Sequence, residues 1–101
     1  MKLISELSEM IEDEIDGAHK YIIKAYELRE SHPTLSKLLC TLANEELSHI
    51  ERLHGAVVNI ITDYRNENGE PPEPMMAVYE YLHKKHIDKT AKIKALVGAY
   101  K

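Results

Sequence analysis

Glu30-Ser31-His32-Pro33-Thr34-Leu35 is the stretch on which the fold turns. A residue ahead of proline is driven out of the α region, and proline, with φ fixed and no N–H, fits the first turn of a new helix. One helix therefore ends near Glu30 and the next begins at Pro33. So short a link makes the two pack antiparallel, as an αα-hairpin. Outward from this turn the next strong break is Asn66-Glu67-Asn68-Gly69-Glu70-Pro71-Pro72-Glu73-Pro74. Asn-Gly and the paired prolines stop the second helix there, and Gly69 suits its C-terminus. Gly17, Gly55 and Gly98 fall inside helical runs, where each is tolerated at about 1 kcal/mol. Strand alternation is absent. The expectation is one all-α domain over 1–101, with helices at 3–30, 33–66 and 74–100 and a Pro/Gly loop at 67–73. At about 1.5 Å per residue these helices run roughly 42, 51 and 40 Å. A hairpin and one more helix cover their apolar stripes only in part, which points to a partner chain.

Composition narrows the function classes. The chain has 101 residues, 44% hydrophobic and 30% charged, enough for one core and too apolar for disorder. Its one cysteine, Cys40, cannot form an intrachain disulfide. Cys40 lies at the side of the second helix's stripe with no positive neighbour to activate it, and reads as a small buried residue. No apolar run approaches the roughly 20 residues a bilayer needs. The first 16 residues hold Glu6, Glu9, Glu12, Asp13, Glu14 and Asp16, where a secretory signal needs an apolar stretch. A cytoplasmic protein without a membrane partner is expected. The net charge of −4 argues against nucleic acid as a partner. Lys84, Lys85, Lys89, Lys92, Lys94 and Lys101 read as a solvated helix face. With Phe and Trp absent, the core must come from Leu, Ile, Val, Ala, Tyr and Met, with Met10, Met75 and Met76 as filler.

Three residues break the pattern. With 100° per residue and Glu14 at zero, Leu3, Leu7, Met10, Ile11, Ala18, Tyr21, Ile22, Ala25 and Leu28 fall within about 80° of it. Centred on Glu46, the second helix places Leu35, Leu39, Leu42, Ala43, Ile50, Leu53, Val57, Ile60, Ile61 and Tyr64 within about 60°, with His49 at the same limit. Both glutamates thus sit in apolar stripes, with no Arg or Lys near the stripe centres to neutralise them. A carboxylate on a core face costs several kcal/mol unless it is paired, protonated or bound to a cation. Glu14 lies about 17 residues before the turn, and Glu46 and His49 about 14 and 17 after it, so the three come level to within roughly 5 Å. A carboxylate facing Glu-x-x-His across a helical core is half the ligand set of a dinuclear site. Oxygen and imidazole donors suit iron, manganese or zinc, and the lack of thiolates excludes iron–sulfur centres. The structural alternative leaves Glu14 protonated and bonded to Tyr21 or Tyr64.

Glu14, Tyr21 and Ala25, then Pro33 opening a second helix, then Ala43-x-Glu45-Glu46-x-x-His49, resemble the rubrerythrin branch of the ferritin-like superfamily over about residues 5 to 64. The resemblance implies Glu14, Glu46 and His49 as first-half di-iron ligands, Tyr21 as the core tyrosine and Glu45 as the neighbouring acid. Ferritin-like chains usually carry a second Glu and a second Glu-x-x-His on two further helices. This chain has one further helix. Its Glu80-x-x-His83 does not supply the missing motif, because Glu80 points roughly 130° from that helix's stripe of Met75, Tyr79, Leu82, His86, Ile93, Val97 and Tyr100. Its height is wrong too, since the level of Glu46 and His49 is reached near Thr90 to Lys94. Two chains about a two-fold axis would restore four carboxylates and two imidazoles. Encapsulated ferritins are similar in completing their site between subunits.

The expected function is a ferritin-like metal-binding protein with an iron or manganese pair shared by a homodimer, acting as an oxidase, a peroxidase or in iron handling. Lacking the four cysteines of a rubredoxin-like site, it would take electrons from an external donor. The alternative is a non-enzymatic helical assembly module without metal, similar to short acidic helical proteins of bacteria and prophages. The fold-back also brings His83 and His86 level with residues 54 to 57, so His54, His83 and His86 form a candidate second cluster for zinc or copper. His19 and His32 are assigned to the surface and the turn.

Overall fold

A computed structural model describes residues 2–101 and holds three helices: α1 (Lys2–Glu27), α2 (Pro33–Asn68) and α3 (Glu73–Ala99). All three expected helices are present, with their ends shifted. α1 stops at Glu27 rather than 30, because residues 28–31 tighten into turns closed by the His32 N–H on the Leu28 carbonyl at 2.9 Å. Pro33 occupies the first turn of α2 as its fixed φ requires. α2 continues to Asn68, where Gly69 takes φ of 78° and donates its N–H to the Arg65 carbonyl at 3.0 Å. That left-handed conformation favours glycine.

α1 and α2 form the antiparallel hairpin, and α3 folds back along one face of it. Ile4, Ile11, Ile15, Ala18, Ile22 and Ala25 of α1 pack with Ala43, Leu47, Ile50, Val57 and Ile61 of α2, and Ile93 of α3 closes the core. The molecule is a rod of 56 × 19 × 18 Å. On the angular scale used above, the α1 residues that meet α3, Glu12 and Tyr26, lie about 120 to 160° from Glu14. On α2, Ser36, Glu51 and His54 lie about 80 to 140° from Glu46 on the same side. α3 therefore covers one flank of both stripes.

The other flank stays open. Met10, expected as core filler, is 53% exposed, and Leu3 and Leu35 are exposed with it, because no element crosses that side. Met75 and Met76 are half-buried.

The free end of α3 is tied to the hairpin turn. Ser36 is fully buried, and its hydroxyl donates to the Ala25 carbonyl at 2.5 Å. That uses its one hydrogen, so Tyr100 O–H must donate to Ser36 Oγ, also at 2.5 Å. Tyr26 O–H donates to the Leu96 carbonyl at 2.6 Å, its ring meeting Tyr100 at 5.6 Å between centroids. No helix of the described residues is long and apolar enough to cross a membrane.

Candidate metal centre

The hairpin register brings Glu14 beside Glu46 and His49. Glu14 Oε2 and Glu46 Oε1 each stand 3.6 Å from His49 Nδ1. One donor atom from each of the three lies within 4.8 Å of the others. These separations are longer than a hydrogen bond but within ion-pair range, so no hydrogen bond ties His49 to either carboxylate. No lysine or arginine pairs with Glu14 or Glu46 among the described residues. Gly17 lies beside the group: a Cβ built there would meet Glu46 Oε2 at 3.6 Å, an ordinary contact.

The exposure of the group corrects one expectation. The three side chains are not inside the hairpin: Glu14, Glu46 and His49 retain 31%, 20% and 47% of their accessible surface. The buried arc of α1, running through Ile4, Ile11, Ile15 and Ile22, is centred about 80° from Glu14 toward α3, and α2 is offset the same way. The site lies on the open flank, at its middle along the rod. Leu7, Tyr21, Leu42 and Leu53 flank it within about two turns, and Tyr64 lies roughly 22 Å from His49 along α2; all are half-buried. Neither the Tyr21 nor the Tyr64 hydroxyl bonds to Glu14, Glu46 or His49 among the described residues, and Glu45 is exposed. The donor set itself, two carboxylates and a ring nitrogen free of cationic neighbours, fits a divalent iron, manganese or zinc ion.

The histidines of the second cluster part company. His54 of α2 meets His83 of α3 nitrogen to nitrogen. His86, one turn further along α3, is buried and turns instead to α1, donating from Nε2 to Glu12 Oε2 at 2.6 Å. Lys89 Nζ reaches Glu12 Oε1 at 2.6 Å, with Lys85 at 3.9 Å. The Lys89 hydrogen bond holds Glu12 below the usual carboxylate value against the opposing effect of burial, and Glu12 in turn raises Lys89. Glu80 is exposed, as are His19 and His32. Cys40 is half-buried, and burial pushes its thiol up, away from nucleophilic use.

Reading the sequence missed Glu12, Lys89 and Ser36. The available signal for Glu12 was His86 within the α3 stripe, a polar ring that needs a partner at matching height. Ser36 gave none, because its role depends on where Tyr100 lands. No protein-family model, curated protein or solved structure matches this chain.

Proposed function

We propose that the chain is a metal-binding protein of ferritin-like design, in which two copies join across the open flank and share a pair of iron or manganese ions. The single observation that carries this reading is Glu14, Glu46 and His49: three converging donors without a cationic partner, in the middle of an apolar flank. Each chain supplies two carboxylates and one imidazole, half of what two ions require, and a two-fold axis supplies the rest. The resemblance of residues 5 to 64 to the rubrerythrin branch supports the same assignment.

The roles follow from the donors. Glu14 and Glu46 would hold the metal through carboxylate oxygens, and His49 would complete the donor set from the next turn of α2. Once a second chain covers the flank, Leu7, Leu42 and Leu53 exclude bulk water and strengthen the electrostatics within. A bound iron or manganese pair supplies redox chemistry toward dioxygen or peroxide. Tyr21 lies on the same flank two turns along α1 from Glu14, whereas Tyr64 stands roughly 22 Å from His49 along α2, beyond reach of a ligand oxygen.

Elemental mass spectrometry on purified protein, with its mass in solution, tests the reading. The expected result is a dimer with two metal ions, which Glu46→Ala loses while keeping its helix content. A metal-free dimer whose melting is unmoved by Fe(II) or Mn(II) would favour a helical assembly module instead.

A further inference from the structure

His54 and His83 contribute nothing to the flank that carries Glu14, Glu46 and His49. They face the opposite way, at the seam between α2 and α3. His54 Nε2 contacts His83 Nδ1 and lies 3.3 Å from His83 Nε2, with ring centroids 4.1 Å apart. Tyr79 stacks on His83 at 5.7 Å and 10° between planes, which fixes that ring's orientation. Among the described residues no carboxylate, carbonyl or ammonium group bonds to either imidazole. Facing imidazole nitrogens have two ways to coexist: one proton shared between them, or one cation bound by both lone pairs.

Two features favour the cation. The pair is only half-buried, leaving room for water to complete a four-coordinate shell. A cleft of about 270 Å³, lined by Ile50, His54, His86 and Thr90, opens beside it and gives solvent a route in.

We infer that His54 and His83 form a second, mononuclear metal site for a late first-row divalent cation, zinc foremost, that staples α3 to α2. A donor set of nitrogens alone selects zinc or copper over manganese and magnesium, unlike the oxygen-rich set at Glu14 and Glu46. The site spans the seam where, besides the packing of Ile93 into the core, the side-chain polar contacts of α3 with α2 are the exposed Lys94–Glu51 pair at 3.5 Å and the Tyr100–Ser36 bond. Metal binding there adds directly to the stability of the docked helix.

The test uses full-length Glu46→Ala protein, labelled with nitrogen-15, titrated with zinc chloride at pH 7. Long-range proton–nitrogen spectra report each imidazole. The expected result is that one nitrogen of His54 and one of His83 move to metal-bound positions at one zinc per chain, with a rise in melting temperature. His83→Gln in the same background, its helix content verified by circular dichroism, is expected to bind zinc at least about tenfold more weakly and to lose that rise. The wild-type chain should show the same two shifts, which keeps the result separate from the fate of the other site. Zinc that leaves both rings unmoved, or moves His49 alone, overturns the inference. So does a melting rise that His83→Gln retains in full.

Discussion

Thr90 shows how a single atom can be out of balance in a packed helix. Its Oγ1 is buried and has no hydrogen-bond partner among the described residues. A buried hydroxyl left unpaired costs about 1 to 3 kcal/mol. Thr90→Val keeps the shape and removes the hydroxyl, so chemical denaturation should show equal or higher stability, by up to about 1 kcal/mol. A loss of that size would mean that water from the adjoining cleft pairs the hydroxyl in solution. Glu12 is the opposite case, a half-buried carboxylate with more partners than most. Its folded value lies below its ordinary 4.5, because of the Lys89 bond first and His86 after it. Its stabilisation is therefore complete above about pH 4.5 and is lost as pH falls through the lower folded value. With 31% of the side chain exposed, solvent screening limits the effect to about 1 kcal/mol. Glu12→Gln should melt lower than wild type at pH 7, and the difference should shrink in melts near pH 3. The contrast between Glu12 and Glu14 explains what the sequence made legible at this scale. Glu14, Glu46 and His49 could be found because polar residues inside an apolar period stand out. Glu12 and Thr90 could not, because their surroundings are made by a helix seventy residues away whose rotation the pattern leaves open.

The helices themselves were legible to within three residues, because their ends are set locally. Pro33 and Gly69 act through their own backbone preferences, and neither needs tertiary context. α3 was the harder element, with its apolar residues spread around much of the helix. What fixes it is a set of contacts at three heights: Tyr100 and Tyr26 at the hairpin turn, Glu12 with His86 and Lys89 in the middle, and His54 with His83 beyond. The approximate fold-back height followed from helix rise alone, which is why His54 and His83 were expected to come level. The direction of His86 did not follow from it. The tyrosine tie makes a checkable claim about the end of α3. Tyr26→Phe removes the bond to the Leu96 carbonyl and should cost about 1 kcal/mol. Hydrogen exchange should quicken at residues 96–100 well before it does in the hairpin core. Uniform quickening across all three helices would instead mean that α3 unfolds only with the whole rod.

On the scale of the whole molecule, the decisive fact is that the rod has one covered flank and one open one. α2, 36 residues long, sets its 56 Å length, and α3 lies along a single side. The open side presents Leu3, Met10, Leu35 and Leu38 to solvent, at 44% to 53% exposure, in line with Glu14 and Glu46. An apolar strip of that length, with acids and a histidine at its centre, is the surface on which the proposed pairing rests. In the proposed pairing, a second copy of the same flank would present both an apolar strip and the remaining donors. Met10→Lys separates this from the alternatives. Because Met10 is half exposed in the single chain, the change should alter its stability by no more than about 0.5 kcal/mol. In a paired flank the same lysine would lie desolvated beside an apolar partner, at a cost of several kcal/mol. Since every 1.4 kcal/mol is about tenfold in the dissociation constant, micromolar protein should sediment as a monomer with unchanged helix content. Metal content should fall with it, because each half-site would hold too few donors alone. Sedimentation of Met10→Lys as a dimer like the wild type would place the interface elsewhere, and Glu14, Glu46 and His49 would then face water as three ordinary surface groups.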